Sequence, residues 1–274
     1  MVLSEADRQK LRTTFDEDAE LYDKARPHYP HQIFDDLLQL AELERGAGAH
    51  LLEVGCGTGH FTLPLAERGF RITCVELGEN LAAVARRNLA PFPEVNIEVA
   101  PFESWDAGGE SFDLVYAAAA WHWIDTDARY RKAADLLKPD GSLAIIGGGH
   151  AFPADADRFF FDIQDVYREI GEEHPDEEWP PPLPEDVPDF REEIEASGLF
   201  GDVQTRRYVW GLVYTAEEYI DLLNTFSGHI AMEPDKRDFL YRNVRERINA
   251  LPDHRICRHW LAILNVARKL PVKV

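Results

Sequence analysis

The chain has 274 residues, 45% of them hydrophobic, with a formal net charge of −21. That is enough apolar material for a sizeable core, yet no apolar run approaches the roughly 20 residues of a membrane span. Fifty acids against 29 Lys plus Arg oppose a nucleic-acid partner, which needs a basic face; "RNVRERINA" and "HRICRH" are the only basic stretches. The N-terminal "MVLSEADRQKLRTTFDEDAE" reads as an amphipathic helix capped by Ser4, without the apolar core of a leader. Pro27 and Pro30 in "YDKARPHYP" predict an extended stretch, followed by a helix over 31–43. From His50 onward short apolar strands, "HLLEVG", "RITCVE", "VNIEVA", "FDLVYA" and "SLAIIG", alternate with helical segments over 59–68, 79–88 and 127–137. The last helix is expected to stop at a turn made by "KPDG". Strands that are apolar throughout and separated by one helix each predict a parallel sheet covered on both faces.

After residue 150 the rhythm changes. A helix is expected over 155–170, then irregular chain through the prolines of "EEHPDEEWPPPLPEDVP", and a short helix in "DFREEIEASG". "TRRYVWGLVY" alternates as a strand does. "TAEEYIDLLNTF" opens with a capping box, Thr215 with Glu218, and a helix over 234–251 precedes a closing strand, "HWLAILNVAR". The cysteines Cys56, Cys74 and Cys257 are too few and too scattered for a disulfide framework or a zinc site, and fit a reducing cytoplasm.

The sharpest motif is "LLEVGCGTGHF". Gly55, Gly57 and Gly59 follow the first strand and open a helix, an arrangement that brings a ligand onto bare backbone and N–H groups. The dinucleotide fingerprint G-x-G-x-x-G fails, because its third position falls on His60 or Thr62. Glu53, two residues before the first glycine, suits a cation better than a pyrophosphate. Glu76 closes the second strand, where an acid accepts hydrogen bonds from ribose hydroxyls. A ligand with a ribose, a positive charge and no phosphates fits both acids: S-adenosylmethionine.

"EVGCGTG", "CVELGENLAAVARRN", "FDLVYAAAAWHWID" and "LLKPDGSLAII", in that order, resemble the class I S-adenosylmethionine-dependent methyltransferases. The likeness is to the small-molecule, methyltransferase type 11-like group, which carries a segment similar to "YDKARPHYP" ahead of the glycine loop. It is strong over about residues 22–150 and weaker beyond. The resemblance implies a Rossmann-like α/β fold, a seven-stranded mostly parallel sheet with an antiparallel last strand and helices on both faces. It implies one methyltransferase domain over 1–274: a helical cap (1–45), a cofactor-binding core (46–150), a lid or substrate insertion (151–205), and C-terminal strands with inserted helices (206–274). By the same resemblance Gly55, Gly57 and Gly59 would cradle the methionine part and ribose, with Glu53 near the ammonium. Glu76, with Leu77 beside it, would take the ribose hydroxyls. Phe102 and Glu103 would flank adenine, although Pro101 stands where many relatives have an acid or serine. The Ala117 carbonyl would accept from the ligand's amino group, and Tyr22 and Arg26 would close over its carboxylate.

"YAAAAWHWID" is the exit of the fourth strand, beside the switch point where open sheets bind ligands. Its alanines permit close approach, and Trp121, His122 and Trp123 are expected to face the sulfonium and the acceptor. Aromatic faces favour such a cation by about 0.5–2 kcal/mol. His122 is the candidate catalytic residue, orienting the acceptor or taking its proton. Phe159, Phe160, Tyr167, Trp179, Trp210, Tyr214 and Tyr219 suggest a partly apolar acceptor pocket. No histidine spacing suits a metal. The expected activity is in-line methyl transfer to oxygen, nitrogen or carbon of a small molecule, by a cytoplasmic monomer or homodimer with no nucleic-acid or membrane partner. Two alternatives stand beside it: a non-catalytic S-adenosylmethionine-binding protein, and a nicotinamide-dinucleotide oxidoreductase, against which Glu53 and the missing third glycine speak.

Overall fold

The computed structural model describes residues 16–45, 48–172 and 181–271; Ser4, with the helix start expected there, and Trp179 lie outside them. Seven strands form one sheet: β1 (His50–Val54), β2 (Arg71–Glu76), β3 (Val95–Val99), β4 (Phe112–Ala118), β5 (Leu137–Ala151), β6 (Phe200–Tyr214) and β7 (Ile256–Lys269). Their order is β3-β2-β1-β4-β5-β7-β6. β1 pairs in parallel with β2 and β4, β2 with β3, and β4 with β5; the closing strands run antiparallel. The helices Thr62–Ala66, Glu79–Asn88 and Arg129–Leu136 follow β1, β2 and β4 as crossovers. Every residue of β1 is buried, as a strand covered on both faces must be. This is the expected Rossmann-like α/β fold, and the strand order reverses between β1 and β4, which creates the switch point.

Three local expectations change. "KPDG" is carried inside β5, whose register against β4 jumps from Phe112↔Leu137 to Leu114↔Ser142. Pro139 has no N–H to donate, so the extra residues bulge out of the ladder and pairing resumes beyond Gly141. A helix continues through Ala25 (Ala19–Ala25) and only Arg26, at ψ 140°, turns extended. Pro27 constrains the residue before it and not the four before that. The helix expected over 155–170 starts later, where the Asp157 carboxylate accepts from Phe159 N at 2.9 Å, and is divided into Phe159–Asp162 and Gln164–Glu169.

The chain gathers into two compact units. The glycine-loop unit comprises Pro27–Gly148, Pro188–Tyr208 and Ala262–Val274. Its core joins Phe112, Val115, Trp121, Ile145 and Phe200. The aromatic unit comprises Met1–Arg26, Gly149–Val187 and Val209–Leu261, with Phe159, Tyr219, Leu240 and Trp260 in its core. Its helix Ala216–Leu223 has both halves of the capping box in place, and Pro234 opens the helix Pro234–Asn249. Among the described residues no helix is long and apolar enough to cross a membrane.

Candidate functional site

Gly55, Gly57 and Gly59 adopt φ of 72°, 57° and 91°, left-handed values that residues with a Cβ rarely take. Space forbids side chains as well. A Cβ on Gly55 would stand 2.5 Å from Ala120 Cβ, and one on Gly59 2.9 Å from Leu89 Cδ1. Gly55 N donates to the Val75 carbonyl at 2.8 Å. Glu76, at the end of β2, is buried and clamped to the loop: Oε2 accepts from Gly57 N at 2.7 Å and Oε1 from Gly78 N at 2.9 Å. In the middle of the loop Thr58 Oγ1 is buried with no hydrogen-bond partner among the described residues. Bare glycine backbone, a fixed carboxylate and an orphaned hydroxyl are features that suit a ribose-bearing ligand without phosphates.

Glu53 is directed into the sheet. It is 1% exposed, and Oε2 accepts from Thr62 Oγ1 at 2.5 Å and from the Tyr116 hydroxyl at 2.8 Å. Burial pushes its pKa up to about 7, against those two hydrogen bonds, with the Glu76 charge adding to the rise. Burial likewise holds the Tyr116 phenol well above its usual range, and hydrogen bonding with Cys74, then burial, does the same for the Cys56 thiol, so that Cys56 is a protonated filler in the loop.

At the exit of β4, Ala117 is buried and pairs with Ile145, and Ala119 takes φ 54° to turn the chain. Trp121–Trp123 form a single 3-10 turn. The structure places Trp121 in the core, 1% exposed, with its ring edge-on to Tyr130 at 5.3 Å. Its carbonyl accepts from Arg129 Nη1 at 2.7 Å, and Arg129 also pairs with Glu193. His122 and Trp123 remain accessible, their rings 4.7 Å apart. Although the His122 ring keeps a solvent-facing edge, the protein packed around it, helped by the Arg129 charge, presses its pKa down to about 4.

After β3, Phe102 is buried, and Glu103 is tied to the β4 exit through Asp125 N, which donates to Glu103 Oε1 at 3.3 Å. Lys132 Nζ donates to the Glu103 carbonyl at 3.1 Å and to that of Trp105. Leu77 is half-buried beside Glu76. Tyr22 and Arg26 belong to the aromatic unit, where the Arg26 guanidinium lies 4.9 Å from the Tyr22 ring and 4.4 Å from that of Phe226, and donates to the Thr225 carbonyl. Sequence reasoning missed His28 and Tyr29. Their rings pack on His60 at 4.5 Å and on Phe61 at 5.0 Å, next to Gly59. The signal was present in "ARPHYP", which Pro27 and Pro30 hold extended. Among the described residues no group of His, Cys, Asp and Glu is arranged to hold a metal ion.

Residues 52–145 match the family model described as a methyltransferase domain. The chain is 34% identical, over 148 residues, to a malonyl-[acyl-carrier protein] O-methyltransferase from Geobacter sulfurreducens; the match covers 52% of this chain and about half, 55%, of that relative. Among solved structures it is similar to a candidate type II methyltransferase from Anaeromyxobacter dehalogenans, with a TM-score of 0.62, 24% identity and coverage of 90% of this chain and 99% of that one. It is also similar in fold to phosphoethanolamine N-methyltransferase 2 of Haemonchus contortus in complex with S-adenosyl-L-methionine, with a TM-score of 0.54, 18% identity and coverage of 98% and 60%. Strand order, glycine loop and family match agree: over residues 52–145, within a Rossmann-like sheet, the chain is similar to a methyltransferase domain.

Proposed function

We propose that the chain transfers a methyl group from S-adenosylmethionine to a small-molecule acceptor. The observation that carries this reading is Glu76, whose two oxygens accept from Gly57 N and Gly78 N and so hold a carboxylate fixed at the end of β2 beside the glycine loop, where an acid takes ribose hydroxyls. When bound, S-adenosylmethionine supplies an electrophilic methyl on a sulfonium. The backbone of Gly55, Gly57 and Gly59 would hold its methionine and ribose parts, Phe102 and Glu103 its adenine, and the Ala117 carbonyl its amino group. Glu53, turned inward, supports the loop from beneath through Thr62 and Tyr116. A net charge of −21 favours a small acceptor over a nucleic acid.

Methyl displacement asks a protein mainly to align the partners and exclude water. With its pKa near 4, His122 is neutral at pH 7 and too weak a base to strip most acceptors; its lone pair orients an acceptor proton. Thermal unfolding of the full chain tests the donor. S-adenosylhomocysteine should raise the melting temperature and NADH should not, since only a ligand of the native state stabilises it. Stabilisation by NADH alone would overturn the reading. A chain that binds S-adenosylhomocysteine but methylates no acceptor in a broad panel would be a binding protein.

A further inference from the structure

A cavity of about 280 Å³ opens within the aromatic unit, between the helix Ala19–Ala25, the end of the helix Ala216–Leu223 and the start of the helix Pro234–Asn249. Its walls carry Glu17 and Asp18 at the entry of the first helix, Arg237 on the last, and the apolar Leu21 and Ile230 beside Tyr22. The volume lies just under the roughly 300–1,000 Å³ of sites for drug-sized ligands, and suits a smaller molecule.

The charged groups in these walls are available. Arg237 is half-buried, and among the described residues no carboxylate pairs with it, although its neighbour Lys236 pairs with Glu172 at 2.8 Å. Glu17 is exposed and makes no hydrogen bond or ion pair among the described residues. Asp18 uses only Oδ1, which accepts from Leu21 N at 3.0 Å to cap the helix. Acids and guanidinium thus line one cavity without closing on each other. By contrast the neutral polar groups are tied down. Asn224 donates to the Ile220 carbonyl at 3.1 Å and accepts from the Tyr241 hydroxyl at 3.2 Å. Thr225, 3% exposed, donates to the Leu222 carbonyl at 2.7 Å, and its own carbonyl accepts from Arg26, whose guanidinium lies 4.9 Å from the Tyr22 ring. Recognition therefore falls to the charged ends.

The charges decide what fits. Glu17 and Asp18 bring two negative charges; Arg237 in the wall and Arg26 behind Tyr22 and Thr225 bring two positive ones. A neutral molecule with separated charges keeps that balance, whereas a lone amine or a lone carboxylate upsets it. Carboxylates take an ammonium, a guanidinium fork takes the two oxygens of a carboxylate, and Leu21 and Ile230 cover the carbons between.

We propose that this cavity is a binding site for a free amino acid, its ammonium held by Glu17 and Asp18 and its carboxylate by Arg237. The site stands on the aromatic unit alone and is independent of the methyl-transfer reading.

Calorimetry on the full chain tests it with glycine, L-alanine, L-leucine and 4-aminobutyrate, against propylamine and propionate as single-ended probes. At least one amino acid should bind with a Kd at or below about 1 mM, and about ten-fold or more tightly than either single-ended probe. Arg237→Gln should weaken it about ten-fold or more, the loss expected for a charge-assisted hydrogen bond. The double variant Glu17→Gln, Asp18→Asn, which keeps the helix cap, should weaken it about as much. All three positions are solvent-accessible, so the variants should keep the wild-type melting temperature. Saturating the chain with S-adenosylhomocysteine should leave the amino acid's affinity within about two-fold. The proposal is overturned if no amino acid binds, if a single-ended probe binds as tightly, or if either folded variant binds the amino acid unchanged. Displacement by S-adenosylhomocysteine would overturn it too, by giving the cavity to the methyl donor. Failure of S-adenosylhomocysteine to bind at all would instead remove the methyl-transfer reading and leave the amino-acid arm to decide this site.

Discussion

Gly55 and Ala120 face each other so closely that one carbon added to Gly55 would stand 2.5 Å from the Ala120 Cβ. The small residues at the β4 exit therefore serve the glycine loop directly: they give it room to lie against the strand end. Gly55→Ala meets both this clash and the left-handed φ of 72°. It should destabilise the fold by about 1–3 kcal/mol, read from the urea midpoint, and weaken S-adenosylhomocysteine by ten-fold or more. A variant with unchanged midpoint and affinity would mean that the loop has another conformation.

Glu76 joins two backbone amides that a shorter side chain would leave unsatisfied. Glu76→Ala should abolish measurable S-adenosylhomocysteine binding at micromolar protein and lower stability by about 2 kcal/mol. Glu76→Gln keeps one oxygen and should fall between the two in a calorimetric titration. Equal affinities for Gln and the wild type would show that ribose recognition does not need the second acceptor.

Much of this arrangement is legible in the sequence, for identifiable reasons. β2 and the helix Glu79–Asn88 fall where expected to the residue, because Arg71 and Gly78 punctuate a clean apolar run and a clean amphipathic one. Glu53 was placed on the right strand, but a strand buried on both faces carries no alternation to reveal which way its acid points. Trp121 was ambiguous for a related reason. What commits it to the core is Tyr130 and the carbonyl bond from Arg129, whose own partner Glu193 lies 64 residues away in sequence. Arg258 belongs to "HRICRH", which by composition is a basic surface stretch; the long-range packing of Tyr219 and Phe226, with Trp260 two residues along the strand, turns it inward.

Glu53 gives the fold a pH dependence whose sign is fixed. Its native pKa of about 7 lies above the ordinary glutamate value of 4.5, so between those limits the folded chain holds a proton that the unfolded chain has lost. Stability is therefore greatest below pH 4.5 as far as this group is concerned, and its contribution is lost as pH rises through 7. Glu53→Gln cannot titrate. The stability of the variant relative to the wild type should rise by up to about 3 kcal/mol between pH 4.5 and 7.5. Parallel pH–stability curves for the two proteins would show that Glu53 is ionised throughout.

Arg129 and His122 are coupled through charge. The guanidinium, 4% exposed at its side chain, bonds to the Trp121 carbonyl and pairs with Glu193, and its field is one of two causes lowering the His122 pKa to about 4. Arg129→Leu should destabilise the chain by about 3 kcal/mol, because it removes a buried charge-assisted hydrogen bond to the Trp121 carbonyl together with the pairing to Glu193. In the same variant the His122 NMR titration should move upward towards the ordinary imidazole value. For the wild type, kcat/KM on a true acceptor should show no inflection between pH 6 and 8 that vanishes in His122→Asn. His122→Ala should lower kcat/KM about ten-fold at every pH, as loss of an orienting hydrogen bond requires. An inflection near pH 6.5 that His122→Asn removes would give His122 a titrating proton in catalysis, and with it the role of general base.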